Sequence, residues 1–478
     1  MRDGAEVSAG TYGEGDGGNL TVNASNQVEL IGTTADGQYG SGLFTQASRG
    51  ASGKAGDLTI NTGTLLVRDG AFVSASTFGE GDGGNLTVNA SNQVQLIGTT
   101  ADGQFGSGLY ASANPDASGK AGDLTINTGT LLVQDGAEVS AGTFGEGDGG
   151  NLTVNASNQV QLIGTSADGQ FVSGLFASTQ PGASGKAGDL TINTGTLLVR
   201  DGALVSVRSF QGQAGNMTIL ANSLLLDQGR LFAETAKSDA QGGANITLSG
   251  LDLLRMDNES LISANALDQA SGGNITIDST FVVATPPTGS KGSDITANAV
   301  RGNGGRVNIT TQGLFGIEFR PQPTSKNDIT VSSEFGLTGE FQLYSPDVDP
   351  SRGLTNLPTA VVDVSNQIAQ TCPSGGRKVA QNQFIVTGRG GLPANPTDTL
   401  SSDTVWTDLR NPSVVSSHPS EEPVTPKAVT PQAPIMEANG WVINDKGEVV
   451  LMAVAPTVPL YSRGWTQSQC HVSQTSRE

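Results

Sequence analysis

Apolar and polar residues alternate over short stretches along the first two thirds of the chain, as in Leu58 and Ile60, Leu65 and Val67, then Ala71, Val73 and Ala75. An interval of two puts every second side chain on one face of a strand, whereas a helix would bring apolar residues back at intervals of three and four. Between these stretches lie Asn61-Thr62-Gly63, Arg68-Asp69-Gly70 and Phe78-Gly79-Glu80-Gly81-Asp82-Gly83. Their Gly, Asn and Asp residues tolerate the positive φ of tight corners. The pattern predicts three short strands and three corners in one unit, and no helix.

The unit recurs. The string GEGDGGNLTVNASNQV begins at Gly13, Gly79 and Gly145, and KAGDLTINTGTLLV at Lys54, Lys120 and Lys186, so both return every 66 residues. Such near-identity points to recent duplication. Each 66-residue block holds two versions of a smaller unit, opened at Asn19, Asp57, Asn85, Asp123, Asn151 and Asp189, with spacings that alternate between 38 and 28. Weaker copies at Asn216, Asn245, Asn274 and Arg306 bring the count to ten.

Three strands and three corners make one triangular coil, each strand pairing with its equivalent one unit later. The expected fold is all-β: a right-handed parallel β-helix of about ten coils over residues 1–344, a rod on the order of 50 Å long at the spacing of paired strands. A single coil cannot bury its apolar face, so stability has to come from stacking on neighbours. A hairpin-built sandwich or barrel also uses short alternating strands, but it does not need the same residue at the same corner in successive units.

Stacking puts Asn19, Asp57, Asn85, Asp123, Asn151, Asp189, Asn216, Asn245 and Asn274 in register at one corner. These residues read as a structural corner ladder that satisfies backbone groups, in preference to an exposed functional stripe. The GEGDGG loops resemble calcium-binding nonapeptides only in part. Calcium repeats are tandem, so that successive turns supply several oxygen ligands, whereas these acids return only every 66 residues. Solvated loops are expected instead.

Parallel β-helices also serve as polysaccharide lyases and hydrolases, which need paired carboxylates or a bound metal beside basic residues. The repeated acids are copied along with their scaffold, which a catalytic group has no reason to be. His418 and His471, the two histidines, fall in the non-repetitive tail, and no GxSxG, HExxH or P-loop string occurs. No catalytic residue, metal-ligand set or cofactor is therefore expected. With 45 acidic and 25 basic side chains the net charge is −20, which disfavours nucleic acid and anionic lipid as partners.

The period is lost after about Pro346. Residues 345–410 form a post-helix segment with GRGGLP and WTDLR motifs; 411–434, with six prolines, read as a linker; 435–478 form a small module. In that module Asn444-Asp445-Lys446-Gly447 separates two apolar runs, which predicts a β-hairpin that either covers the open end of the helix or anchors separately. Cys372 and Cys470 could close one long-loop disulfide in an oxidising compartment or remain two free thiols. The longest apolar candidate, Val449 to Leu460, is too short to span a bilayer and contains two prolines. Met1-Arg2-Asp3-Gly4-Ala5 aligns with Val67-Arg68-Asp69-Gly70-Ala71, so the chain opens inside a repeat and a start upstream is expected.

The GNLTV and GDLTI units resemble those of filamentous haemagglutinin-type exoproteins secreted by the two-partner route. The tail is similar to that of large cyanobacterial members, in FGIEFRPQPT from Phe315, DITVSSEFG from Asp328, PDVDPSRGLTNLP from Pro346, QFIVTGRGGLPANP from Gln383 and WTDLR from Trp406. The resemblance implies a non-catalytic adhesin at the outer-membrane cell surface, acting in adhesion, aggregation or coating, with a surface glycan or protein as ligand. It also implies that the full-length protein is exported through an outer-membrane two-partner transporter; the family's signal peptide and secretion domain have no counterpart in these residues. In some related adhesins a C-terminal cysteine pair holds the last segment at the membrane, an arrangement that Cys372 and Cys470 resemble in position. Two other readings stand beside this one: a β-helical polysaccharide-active enzyme, and a contact-dependent toxin carrier with an effector after Pro346. The tail's prolines and its scarcity of His and Lys weigh against the carrier.

Overall fold

The computed structural model describes residues 1–236, 243–345, 440–443 and 449–452, and divides the chain into two compact units, Met1–Val362 and Asp363–Glu478. The described part of the first unit is a parallel β-helix with two hydrogen-bonded faces, one of thirteen strands and one of twelve. All pairings between named strands in these two sheets are parallel, and the described residues contain no helix.

The register matches equivalent residues. Leu58 pairs with Leu86, Leu86 with Leu124, Leu124 with Leu152 and Leu152 with Leu190, and the column continues through Met217, Ile246 and Ile275. The alternate residues point inward: Leu58, Ile60, Leu65 and Val67 are fully buried, as are their counterparts Leu86, Val88, Val94 and Leu96. A buried Leu or Val contributes roughly 1.5–3 kcal/mol relative to exposure, so the stacked interior is the main source of stability.

The coil is not built from three equal strands. Leu58–Arg68 is one strand of 11 residues, and the predicted corner Asn61-Thr62-Gly63 lies inside it. The bend is absorbed as an irregularity: Thr62 pairs with Ala90 and Thr64 with Gln93, so the next strand, Leu86–Ile97, carries one residue more. A bulge of this kind turns the strand without breaking the ladder. The Arg68-Asp69-Gly70 corner does turn, with φ of 58° at Asp69 and 84° at Gly70. The short face follows, with strands such as Phe72–Ser74, and the third side is a loop tied from coil to coil by isolated parallel bridges, such as Ala47 to Thr77 and Thr77 to Ala113, and by further backbone hydrogen bonds such as Glu80 N–H to the Ala51 carbonyl at 2.9 Å.

The alternation of 38 and 28 residues has a structural cause. Each longer coil inserts a loop before its short-face strand, pinched by a single antiparallel bridge from Thr33 to Gly40, Thr99 to Gly106 or Thr165 to Val172. These loops account for most of the difference and recur on every second coil.

The long face has one rung beyond the ten units counted in the sequence. Glu340–Tyr344 pairs with Arg306–Thr310, and Arg306 meets Glu340 at 2.8 Å across the pair. The FGIEFRPQPT string has a definite place at this end. Ile317 is buried in the core, and Glu318–Phe319 pairs on the outer side of Asp328–Thr330, so it covers the edge of the short face. Phe319 stacks on Phe341 at 5.1 Å, and Pro321 and Pro323 follow. Covering an edge strand in this way removes a template for unwanted pairing.

In the second unit Gly440–Ile443 and Val449–Met452 pair antiparallel, Trp441 with Leu451 and Val442 with Val450, which is the expected β-hairpin. The segment 345–410 beyond Ser345, the linker 411–434, His418, His471, Cys372 and Cys470 lie outside the described residues.

Candidate functional site

The Asn/Asp corner residues form a continuous hydrogen-bonded column. The Asp57 backbone N–H donates to Asn19 Oδ1 at 2.8 Å, Asn85 N–H to Asp57 Oδ1 at 2.9 Å, and Asp123 N–H to Asn85 Oδ1 at 3.0 Å. Asn151, Asp189, Asn216, Asn245 and Asn274 continue it, each N–H meeting the side-chain oxygen one coil before. Each side chain supplies the acceptor that the next corner N–H would otherwise lack.

A second column was not separated out by the sequence reading. The side-chain amides of Asn23, Asn61, Asn89, Asn127, Asn155 and Asn193 join head to tail, Nδ2 to Oδ1, at 2.8–2.9 Å. Its signal was the Asn four residues after each of the first six corner residues, masked by its assignment to a turn. The column ends where Asn193 pairs with Leu220.

The GEGDGG loops are explained by packing. A Cβ on Gly81 would lie 2.0 Å from the Gly53 carbonyl oxygen, and one on Gly119 would lie 2.0 Å from that of Gly81, so only glycine lets these backbones lie one on another. The Asp82 carboxylate accepts the Lys120 N–H at 3.0 Å and meets the Lys54 ammonium at 3.4 Å; Asp148 does the same with the Lys186 N–H and the Lys120 ammonium. Acidic and basic corners thus alternate coil by coil, which gives the two-coil, 66-residue block a physical purpose. Among the described residues no group of three or more His, Cys, Asp or Glu is placed to hold a metal.

Outward-facing residues of the short face form something different: a groove of about 560 Å³ along the stack. Its floor includes Glu6, Phe72, Tyr110 and Glu138, one wall is Tyr39, Phe105 and Phe171 from the inserted loops, and Gln46, Ser112 and Asn114 lie opposite. Glycines make room for the rings: a Cβ on Gly42 would meet the Phe72 ring at 2.8 Å, and one on Gly108 the Tyr110 ring at 2.7 Å. The loops are held closed by Asp36, Asp102 and Asp168, whose carboxylates accept from Thr34, Thr100 and Ser166 hydroxyls and from Gln38, Gln104 and Gln170 N–H groups. These bonds lower all three carboxyl pKa values. Tyr110 donates its hydroxyl to the Gly106 carbonyl at 3.0 Å and lies beside Glu138. Burial raises the Glu138 carboxyl, with the Tyr110 contact pulling the other way, and burial together with the Glu138 charge pushes the Tyr110 phenol well above its usual value.

The sequence pointed to no groove, and of its lining only Gly70 and Phe78 were named, as corner residues, although a signal was present. The three 66-residue blocks keep their ladder positions and most of their inward ones, and several of their differences fall here. One position is Glu6, Phe72 and Glu138; others are Tyr39, Phe105 and Phe171, then Phe44, Tyr110 and Phe176, then Gln46, Ser112 and Ser178. Comparison of the chain with models of protein families, with curated proteins and with solved structures finds no match.

Proposed function

We propose that this chain is a non-catalytic part of a secreted surface exoprotein, a filamentous haemagglutinin-type adhesin whose full-length form is exported through an outer-membrane transporter to act in adhesion, aggregation or coating. The observation that carries the reading is multivalent display. A rigid stack, held by ladders that consume its repeated polar side chains, presents the same aromatic-tipped loop on every second coil. Repetition on one body raises avidity without strengthening any single contact.

A polysaccharide-active enzyme fits the groove less well. Glycoside hydrolysis uses two carboxyl groups roughly 5–9.5 Å apart. Glu6 and Glu138 are the floor carboxylates, and they stand four coils apart, about 19 Å at the rise of paired strands. To test the adhesive reading, surfaces coated with the purified chain are incubated with bacterial cells of several kinds and washed. Retention above an albumin-coated control is expected; retention equal to the control for all cells would contradict the reading.

A further inference from the structure

The groove holds side chains that no ladder uses. Tyr39 and Phe105 are 60% and 56% exposed on successive inserted loops, with Phe171 on the next. Exposed aromatic surface gathered in one place, and bordered by polar groups, marks a binding site for something with an apolar face and a polar rim. A sugar ring has this character: its C–H face stacks on an aromatic ring while its hydroxyls need donors and acceptors at the edges. Gln46, Asn114 and Glu138 stand where such an edge would fall.

Charge narrows the class. The groove lining contains Glu6 and Glu138 and no Lys or Arg, within a chain of net charge −20. An acidic polymer would be repelled, and a neutral one would not. Spacing narrows it further, because the wall rings recur every second coil, about 10 Å along the axis, close to the length of a disaccharide. Several of the differences between the copies fall at the groove while the ladder residues are unchanged, the pattern expected if the groove meets a ligand and the ladders do not.

We propose that this groove binds a neutral, extended polysaccharide lying along the stack, one disaccharide to each pair of coils, with Tyr39, Phe105 and Phe171 as stacking platforms. The proposal deepens the adhesive reading and depends on it only for the biological use of the contact. The test is native gel electrophoresis of the full chain through gels containing a soluble neutral polysaccharide (mixed-linkage β-glucan, galactomannan or dextran) or polygalacturonate as the acidic counterpart. At least one neutral polymer should retard the protein and polygalacturonate should not. Phe105→Ala should weaken the retardation roughly tenfold. It should leave the fold intact, because the loop is closed through the Phe105 carbonyl, which accepts the Thr100 N–H at 2.8 Å. Phe335→Ala, removing a ring that is 72% exposed outside the groove, should change nothing. No retardation by any neutral polymer, equal retardation by polygalacturonate, or undiminished binding by Phe105→Ala would overturn the proposal. If the coated surface still retained cells in those cases, the adhesive reading would stand with a protein as its ligand.

Discussion

Asn127 shows how a single side chain serves the stack. Its Nδ2 donates to Asn89 Oδ1 and its Oδ1 accepts from Asn155 Nδ2, both at 2.9 Å. Replacing it with Leu leaves a donor and an acceptor unmatched in a half-buried place. Asn127→Leu should cost about 2 kcal/mol in urea unfolding, whereas Asn193→Leu, which breaks one bond beside Leu220, should cost about 1 kcal/mol. Equal costs would mean that the amide column is not what the side chains contribute. Asp294 behaves differently. Burial raises its carboxyl to about 6, with the Asp328 charge adding to the effect, while the Asp328 N–H, Arg320 and Lys291 oppose it. The folded state therefore holds the proton more tightly than the unfolded chain, so stability is highest below the unfolded pKa near 3.8 and falls as pH rises through about 6. Asp294→Asn keeps the acceptor for the Asp328 N–H at 2.8 Å and should raise Tm above pH 6 while flattening its fall from pH 4 to 6. An unchanged Tm–pH profile would sink this account of the site.

At the scale of the element, the loop that joins the short face to the next long strand is governed by close backbone approach. Gly119→Ala would push a Cβ into the Gly81 carbonyl and should destabilise by about 2 kcal/mol. Gly15→Ala occupies the same place in the first coil, where nothing lies within 4 Å, and should be nearly neutral in the same thermal melts. Comparable losses for both would point to chain entropy instead of contact. Much of this level was readable beforehand. Leu58, Ile60, Leu65 and Val67 alternate as they pack, and the Asp69-Gly70 corner turns as its residues require. The error at Asn61-Thr62-Gly63 arose because Asn and Gly are corner residues by local preference, while here a longer-range amide column holds Asn61 extended and a bulge accommodates the bend. The inserted loops were legible as a spacing of 38 against 28 but not as walls of a groove, since that depends on which coils they overhang.

For the helical unit as a whole, sequence separation and spatial separation are decoupled. Coils of 38 and 28 residues rise by the same amount, because the rise is fixed by strand pairing and not by loop length. The eleventh rung at Glu340–Tyr344 escaped notice because its residues no longer repeat the motif; only its pairing with Arg306–Thr310 identifies it. The Thr column Thr59, Thr87, Thr125, Thr153, Thr191, Thr218, Thr247 and Thr276 marks one outward-facing position per coil and makes a built-in ruler. With Cys372 and Cys470 changed to Ser, spin labels can be placed through Cys substitutions at Thr59 and Thr191, or at Thr59 and Thr276, and their separations read by pulsed electron resonance. Stacking of like on like predicts about 19 Å for the first pair, four coils apart, and about 34 Å for the second, seven coils apart. Distances that failed to grow in proportion to the number of coils would contradict it.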